Sequence, residues 1–378
     1  MDLAYTPEQE AFRRTVRQWI EANVPKRAEV RDLDAARAWQ RKLNDAGYLG
    51  VGWPKEHGGA ALDKVQQAIL NEELARANAP GVVNSMAIWW VGPAIIKYGT
   101  DEQKKRFLPR ILNAEEIWAT GYSEPGSGSD MAAAKTKAER DGDFYVVTGQ
   151  KVWTTIAHIS DWFFVLVRTS TEGPKWAGLT LLLMDLKSPG VEVRPIRQIT
   201  GDSEFNEVFM HEVRVPVANR LGAEGQGWEV VSGALINERS GIAGSIRADQ
   251  SLAKLIALAR QRQLTRDPIW RQRLSDLAIR TQITKASGLR SMTNDLRGEM
   301  NPHLSAGMKL LSTELTQKFS EAGADLLGVD AQLWETDAPD DGKLAYTFLY
   351  DRSMTIAGGT SEVQRNIVAQ RVLGLPRK

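Results

Sequence analysis

The spacing of apolar residues changes twice along this chain, and those two changes limit what it can fold into. Up to about residue 117, apolar side chains recur at helical intervals: Phe12, Val16, Trp19 and Ile20 mark one face, Trp39 and Leu43 another. From Trp118 the pattern shifts to short β-rich runs separated by turn residues: Phe144–Val147, Trp162–Val167, Gly178–Met184, Val191–Val193 and Val208–Val215. After Gly227 the helical period returns and persists to Leu373. A chain of this kind must place a compact β domain between two helical regions.

Local signals place the boundaries. Thr6-Pro7-Glu8-Gln9 and Thr100-Asp101-Glu102-Gln103 are capping boxes that predict helix starts. Gly47 ends the second helix, a third runs from about Leu62 to Asn78, and a fourth covers Met86 to Tyr98 and stops at Gly99. Past Gly227, Val230 to Leu258 reads as one long helix, Leu274 to Leu289 as a second and Met308 to Leu327 as a third. A fourth runs from about Leu344 to Arg371 and is interrupted near Ala357-Gly358-Gly359. The expected class is α+β: a helical domain over 1–117, an antiparallel β domain over 118–223 and an up-down four-helix bundle over 224–378.

Composition narrows the chemistry. A net charge of +1 on 378 residues offers no field for nucleic acid or an anionic membrane surface. With no cysteine, disulfides, thiolate nucleophiles and Cys-bearing metal sites are ruled out. The four histidines, His57, His158, His211 and His303, form no i, i+4 pair, so no metal site is expected. No apolar run approaches the ~20 residues of a membrane span, and the acidic start Met1–Glu10 lacks an apolar signal core. A cytoplasmic protein is the expectation. Gly126-Ser127-Gly128 lacks the strand and acidic residue of a dinucleotide fingerprint, and no Gly-x-Ser-x-Gly elbow is present. Trp89-Trp90 reads as core packing, with a substrate-lining role as the alternative. Arg260 to Arg273 reads as a solvated helix end, with a subunit contact as the alternative.

Two stretches carry more specific information. Trp118-Ala-Thr-Gly-Tyr-Ser-Glu-Pro-Gly-Ser-Gly-Ser-Asp130 is a glycine-rich turn, and Gly149-Gln-Lys-Val-Trp-Thr-Thr155 reads as a second turn carrying an indole and hydroxyls. Together they offer backbone N–H groups and an aromatic surface to a planar cofactor. The pair resembles the flavin-facing signature of acyl-CoA dehydrogenases. Four further stretches also resemble landmarks of that family in the same order: Gly52–Gly59, Tyr98–Pro109, Glu212–Pro216 and the closing Gly358–Arg371.

The resemblance implies FAD as cofactor and an acyl-CoA as substrate. A carboxylate removes the α-proton, a hydride passes from the β-carbon to the flavin, and an electron-transfer flavoprotein takes the electrons. The carbonyl must be polarised by fixed donors and the base desolvated. Many relatives carry the base just before the Gly-Thr of the closing motif, where this chain has Gly358. A minority carry it on the first bundle helix before an Arg, and Leu235-Ile-Asn-Glu-Arg239 matches that pattern. The implied base is therefore Glu238, with Arg239 orienting the site and the Gly358 N–H holding the thioester oxygen. By position, Tyr122, Ser123, Trp153 and Thr155 face the flavin. Ser129 lies near the pantetheine arm, and Thr360 and Glu362 lie near the ribose or adenosine.

Two patches depart from the family. An Arg followed by Phe-Gly, which in relatives holds a neighbouring subunit's FAD, here keeps only Arg260 within Arg260–Pro268. A Gln-x-x-Gly-Gly patch reads Asp325-Leu-Leu-Gly-Val329. The pattern resembles one subunit of the heteromeric α2β2 dehydrogenases that act on bacterial steroid side chains, with a homotetramer as the alternative. Gly233, Gly241 and Gly244 would leave space for a branched or ring-bearing acyl group, with close helix packing as the alternative reading. A flavin monooxygenase on the same fold and a non-catalytic partner subunit are the rival readings.

Overall fold

A computed structural model describes residues 5–26, 29–30, 32–236, 242–299, 301, 303–334 and 338–376. Its helices are α1 (Pro7–Asn23), α2 (Leu33–Asp45), α3 (Lys64–Arg76), α4 (Gly92–Tyr98), α5 (Asp101–Leu112), α6 (Gly227–Ile236), α7 (Ile242–Gln261), α8 (Pro268–Leu296), α9 (Leu304–Leu327), α10 (Lys343–Tyr350) and α11 (Ser361–Ile367). The strands are β1 (Trp118–Gly121), β2 (Lys137–Asp141), β3 (Phe144–Thr155), β4 (Trp162–Arg168), β5 (Leu179–Asp185), β6 (Val191–Ile196), β7 (Phe205–Pro216) and β8 (Arg220–Leu221).

Both capping boxes form. Thr6 and Gln9 exchange their side-chain and backbone bonds at the start of α1, and Thr100 and Gln103 do the same at α5. The expected continuous helix through Val230–Leu258 is described as α6 and α7, and residues 237–241 between them lie outside the described set. The fourth bundle helix is a series of pieces rather than one rod. α10 gives way to a 3₁₀ turn, then to the two left-handed residues Gly358 and Gly359, then to α11 and a π-helical turn at Val368–Val372.

The helix expected from Met86 starts as a π-turn, Ala87–Val91. The Gly92 N–H reaches back five residues to the Ala87 carbonyl, which leaves the Ile88 carbonyl to accept the Trp53 indole N–H at 3.3 Å. A side chain inserted into the helical ladder in this way accounts for the wider turn.

The chain forms two compact units. One contains α1, α3 and α7 to α11. Its core is built from Leu255, Ala259, Leu277, Leu315, Phe319 and Leu326, and Arg13 and Arg17 tie α1 to Glu72 and Glu73 of α3. The other contains α2, α4, α5, α6 and the sheet.

The sheet runs β6-β7-β3-β2-β4-β5-β8, with β1 pairing β4 off this path. Most pairings are antiparallel, as the β-rich runs suggested, but β1·β4 and the short β2·β4 contact are parallel. The chain entering from α5 must run alongside β4 before it can turn back, and short runs of alternation do not encode that direction. Tyr145, Val147, Phe163, Val165, Met184, Val208 and Val213 fill the core of the sheet.

Candidate functional site

β1 delivers the chain to the glycine-rich loop from the middle of the sheet. Trp118 stacks on Trp162 at 5.5 Å, packs edge-on against Phe107, and donates its backbone N–H to Asn84. The start of the loop is therefore fixed before Tyr122 and Ser123 are reached. Both are half-buried, and the Tyr122 ring lies edge-on to Phe164 at 6.2 Å. Ser129 is exposed near the loop's end, beside an ion pair between Asp130 and Lys175.

The second stretch, expected as a turn, lies within strand β3 and is deformed by a bulge. Its register against β7 slips between Lys151 and Thr154. Trp153 sits at the bulge with φ +60°, in the left-handed region that non-glycine residues seldom occupy. Its side chain is 59% exposed, with Phe205 edge-on at 6.3 Å. Thr154 turns inward with its hydroxyl buried and without a partner among the described residues, and Thr155 is half-buried opposite Phe205. A strained backbone that holds a large aromatic out of the core marks a site where a ligand surface is expected.

A buried ion pair joins the two stretches, and it was missed at the sequence level. The Lys151 ammonium, fully buried, donates to Glu124 Oε1 at 2.8 Å and to the Tyr122 carbonyl at 3.2 Å. Glu124 also accepts the backbone N–H groups of Lys135 and Thr136 at 2.6 and 2.8 Å. Burial pushes the Lys151 pKa down to about 8 against the pull of Glu124. For Glu124 burial acts upward, but Lys151 and the two backbone donors outweigh it, and its pKa lies below the ordinary carboxylate value. Both partners are therefore charged at neutral pH. One signal in the sequence could have revealed the pair. Tyr145, Val147, Gly149 and Lys151 share one phase of the β3 alternation, so the lysine falls on the inward face. Gly149 is needed in this run because a β-carbon there would lie 2.8 Å from the Thr136 Cα.

The other unit holds Arg260, Gly358, Thr360 and Glu362. Gly358 has φ +64° and nothing near its missing β-carbon. The segment is held from below: Lys309 donates to the Gly359 carbonyl at 2.7 Å and Gln364 to that of Gly358 at 3.0 Å. Thr360 caps α11 by accepting the Val363 N–H. Glu362, in the first turn, has its pKa lowered by its own backbone N–H and then by Thr360. Arg260 is exposed at the end of α7. Asp325 is paired with Arg273 at 2.6 Å, and Asp330 with Arg262.

Glu238 and Arg239 lie outside the described residues. Trp89 is 42% exposed on the π-turn, while the Trp90 indole nitrogen is buried without an acceptor among the described residues. No cluster of potential metal ligands occurs among the described residues, and none of their helices is long and apolar enough to cross a membrane. The outward indole of Trp153, with half-buried Tyr122 and Ser123 alongside, fits a planar ring system.

Three family models match in succession along the chain: the acyl-CoA dehydrogenase N-terminal domain over residues 6–115, the middle domain over 119–213 and the C-terminal domain over 225–373. The chain is 40% identical to acyl-CoA dehydrogenase IpdE1 of Mycolicibacterium smegmatis, over 98% of this chain and 99% of the relative. Its fold superposes on the ChsE4-ChsE5 complex from Mycobacterium tuberculosis with TM-score 0.88 and 32% identity, covering 100% of both chains. A second solved structure, the Tcur3481-Tcur3483 steroid ACAD, matches with TM-score 0.88 and 28% identity over 100% of both chains. This chain belongs to the acyl-CoA dehydrogenase family, FAD-dependent oxidoreductases acting on CH–CH bonds.

Proposed function

We propose that this chain dehydrogenates an acyl-CoA thioester to the trans-2-enoyl-CoA, with Glu238 as the base that takes the α-proton. FAD, when bound, accepts the hydride from the β-carbon. The chain's own residues bind, polarise and deprotonate. The Gly358 N–H donates to the thioester oxygen and makes the α-proton more acidic. Arg239 orients the carboxylate, since a guanidinium does not exchange protons near neutral pH. Trp153 and Thr155 would hold the flavin, together with the backbone of Tyr122 and Ser123. Ser129 would lie toward the pantetheine arm, Thr360 and Glu362 would lie toward the ribose or adenosine, and Arg260 would reach toward a neighbouring subunit's FAD. The segments 1–117, 118–223 and 224–378 divide this work between them.

One observation carries the assignment of the base. Gly358 has both lost the carboxylate seen in many relatives and taken a backbone conformation that disfavours any side chain. The carboxylate must then come from elsewhere, and Glu238 stands at the family's alternative position. Glu238→Gln tests this. The variant should retain its flavin, while bleaching by an acyl-CoA under anaerobic conditions should slow by about 10³-fold. Undiminished bleaching would remove Glu238 from the reaction.

The acyl group we propose is ring-bearing, and the working form is a heterotetramer that passes electrons to an electron-transfer flavoprotein. Support comes from similarity to a protein described as a steroid ACAD and to two-chain complexes. Further support comes from the corner where relatives reach toward a neighbour's FAD. There the guanidinium groups of Arg273 and Arg262 are already taken by Asp325 and Asp330 rather than left for a pyrophosphate. Purification of the chain alone and with candidate partners, followed by flavin quantitation, distinguishes the assemblies. A stoichiometric flavin band from the isolated chain would favour the homotetramer.

A further inference from the structure

The buried ammonium of Lys151 has no part in the chemistry proposed above, yet it touches the backbone of the glycine-rich loop. Its bond to the Tyr122 carbonyl is one of two that draw loop carbonyls toward β3. In the other, the Ser123 carbonyl accepts the Val152 N–H at 3.0 Å. In a trans peptide the carbonyl of one residue and the N–H of the next point in opposite directions. With the Tyr122 carbonyl held on Lys151, the Ser123 N–H must point away from the buried ammonium. It has no acceptor among the described residues. The next N–H is already used, since Glu124 donates to the Ser127 carbonyl at 3.0 Å. Ser123 therefore presents its backbone donor outward, beside the point where the exposed Trp153 emerges on β3.

We propose that Lys151 is a positioning residue: with Glu124 it locks the Tyr122–Ser123 peptide so that the Ser123 N–H is offered to the flavin edge. This role rests on the flavin reading of the site. The lock has two jaws. Glu124 fixes the far side of the loop through the N–H groups of Lys135 and Thr136, and Lys151 joins that carboxylate to the Tyr122 carbonyl. A neutral side chain of similar length would fill the space but leave the peptide free to rotate. Such rotation would aim a carbonyl oxygen at an acceptor-rich ring edge.

Lys151→Met alone strands the Glu124 carboxylate and can unfold the loop for that reason. The informative variant is therefore Glu124→Gln/Lys151→Met, which removes both charges together. It should be prepared, beside the wild type, with any chain that co-purifies. Three quantities decide the matter: the unfolding midpoint, the dissociation constant for added FAD, and hydrogen exchange over residues 119–136 in the FAD-free protein. The double variant should unfold near the wild-type midpoint and exchange faster across the loop. It should bind FAD about ten- to a hundred-fold more weakly, as expected for losing a hydrogen bond that a charge holds in place, with a shifted visible band. A wild type that binds FAD, beside a double variant with unaltered affinity and exchange, overturns the lock alone. A wild type that takes up no FAD in any assembly overturns the flavin reading, and this role with it.

Discussion

Trp153 and Gly358 occupy almost the same backbone angle, φ +60° and φ +64°, and resolve it in opposite ways. Trp153 keeps one of the largest side chains in a conformation that costs a non-glycine residue about 1–2 kcal/mol. The bulged strand holds the residue there, paired with β7 at Lys151 on one side and at Thr154 on the other. Gly358 has no side chain, so the same angle costs it little, and the Lys309 and Gln364 side chains reach the carbonyls of its segment. The strain is retained at the residue proposed to give the flavin an aromatic surface and absent at the residue proposed to act through its N–H. Backbone conformation thus separates a position that keeps a large side chain at this angle from one that has none.

The comparison breaks first at the base. If Gly358 has surrendered that role, Glu238→Gln slows anaerobic flavin reduction by about 10³-fold, and adding Gly358→Glu to that variant does not restore it. Stopped-flow bleaching measures both, and recovery in the double variant would mean the segment still accepts a working carboxylate.

The anchoring of the Trp153 side is tested by pH. Lys151 titrates at about 8 in the folded protein and near 10.4 in an unfolded chain. Between those values the unfolded state binds more protons, so this group makes folding more favourable as pH rises. Relative to Glu124→Gln/Lys151→Met, the wild type should gain on the order of 2 kcal/mol from pH 8 to about 10.5. Arg168 also lowers the Lys151 pKa, so it must be left intact. Denaturant midpoints across that range supply the test, and a flat difference would deny the burial.

Smaller effects sharpen the contrast. Gly358→Ala should destabilise by about 1–2 kcal/mol, the penalty of a β-carbon at a left-handed angle. Trp153→Gly should leave the unfolding midpoint unchanged or slightly raised while weakening FAD binding by about ten-fold, near the upper range for an aromatic contact. If Trp153→Gly is as destabilising as Gly358→Ala, the tryptophan is a packing residue and the contrast fails. The smallest change is expected from Asp325→Asn, which breaks a partly exposed ion pair and should alter stability by less than about 1 kcal/mol.

Much of this architecture was legible in the sequence because its signals are local. Capping boxes at Thr6 and Thr100 require only four consecutive residues, and both formed as written. The change of period at Trp118 located the sheet, although it did not reveal the parallel course of β1 along β4, which depends on how the chain arrives from α5. Gly358 stood out because a chemical group was missing. Lys151 and Glu124 did not, because a lysine and a glutamate in a polar loop resemble a solvated surface. Their burial becomes visible only when the alternation through Tyr145, Val147 and Gly149 is continued inward. The bulge at Trp153 reverses that phase within three residues and hides it.

The π-turn at Ala87–Val91 has a consequence for how this fold can vary. A wide turn holds one more residue than the α-helical ladder needs, so deleting a single residue there would let the ladder close as an ordinary helix. Everything from Gly92 onward could then keep its place, while Trp89 and Trp90 would swing about 100° around the axis. A length change that would disrupt an ordinary α-helix would here act as a dial, re-aiming two indoles without redrawing the protein around them.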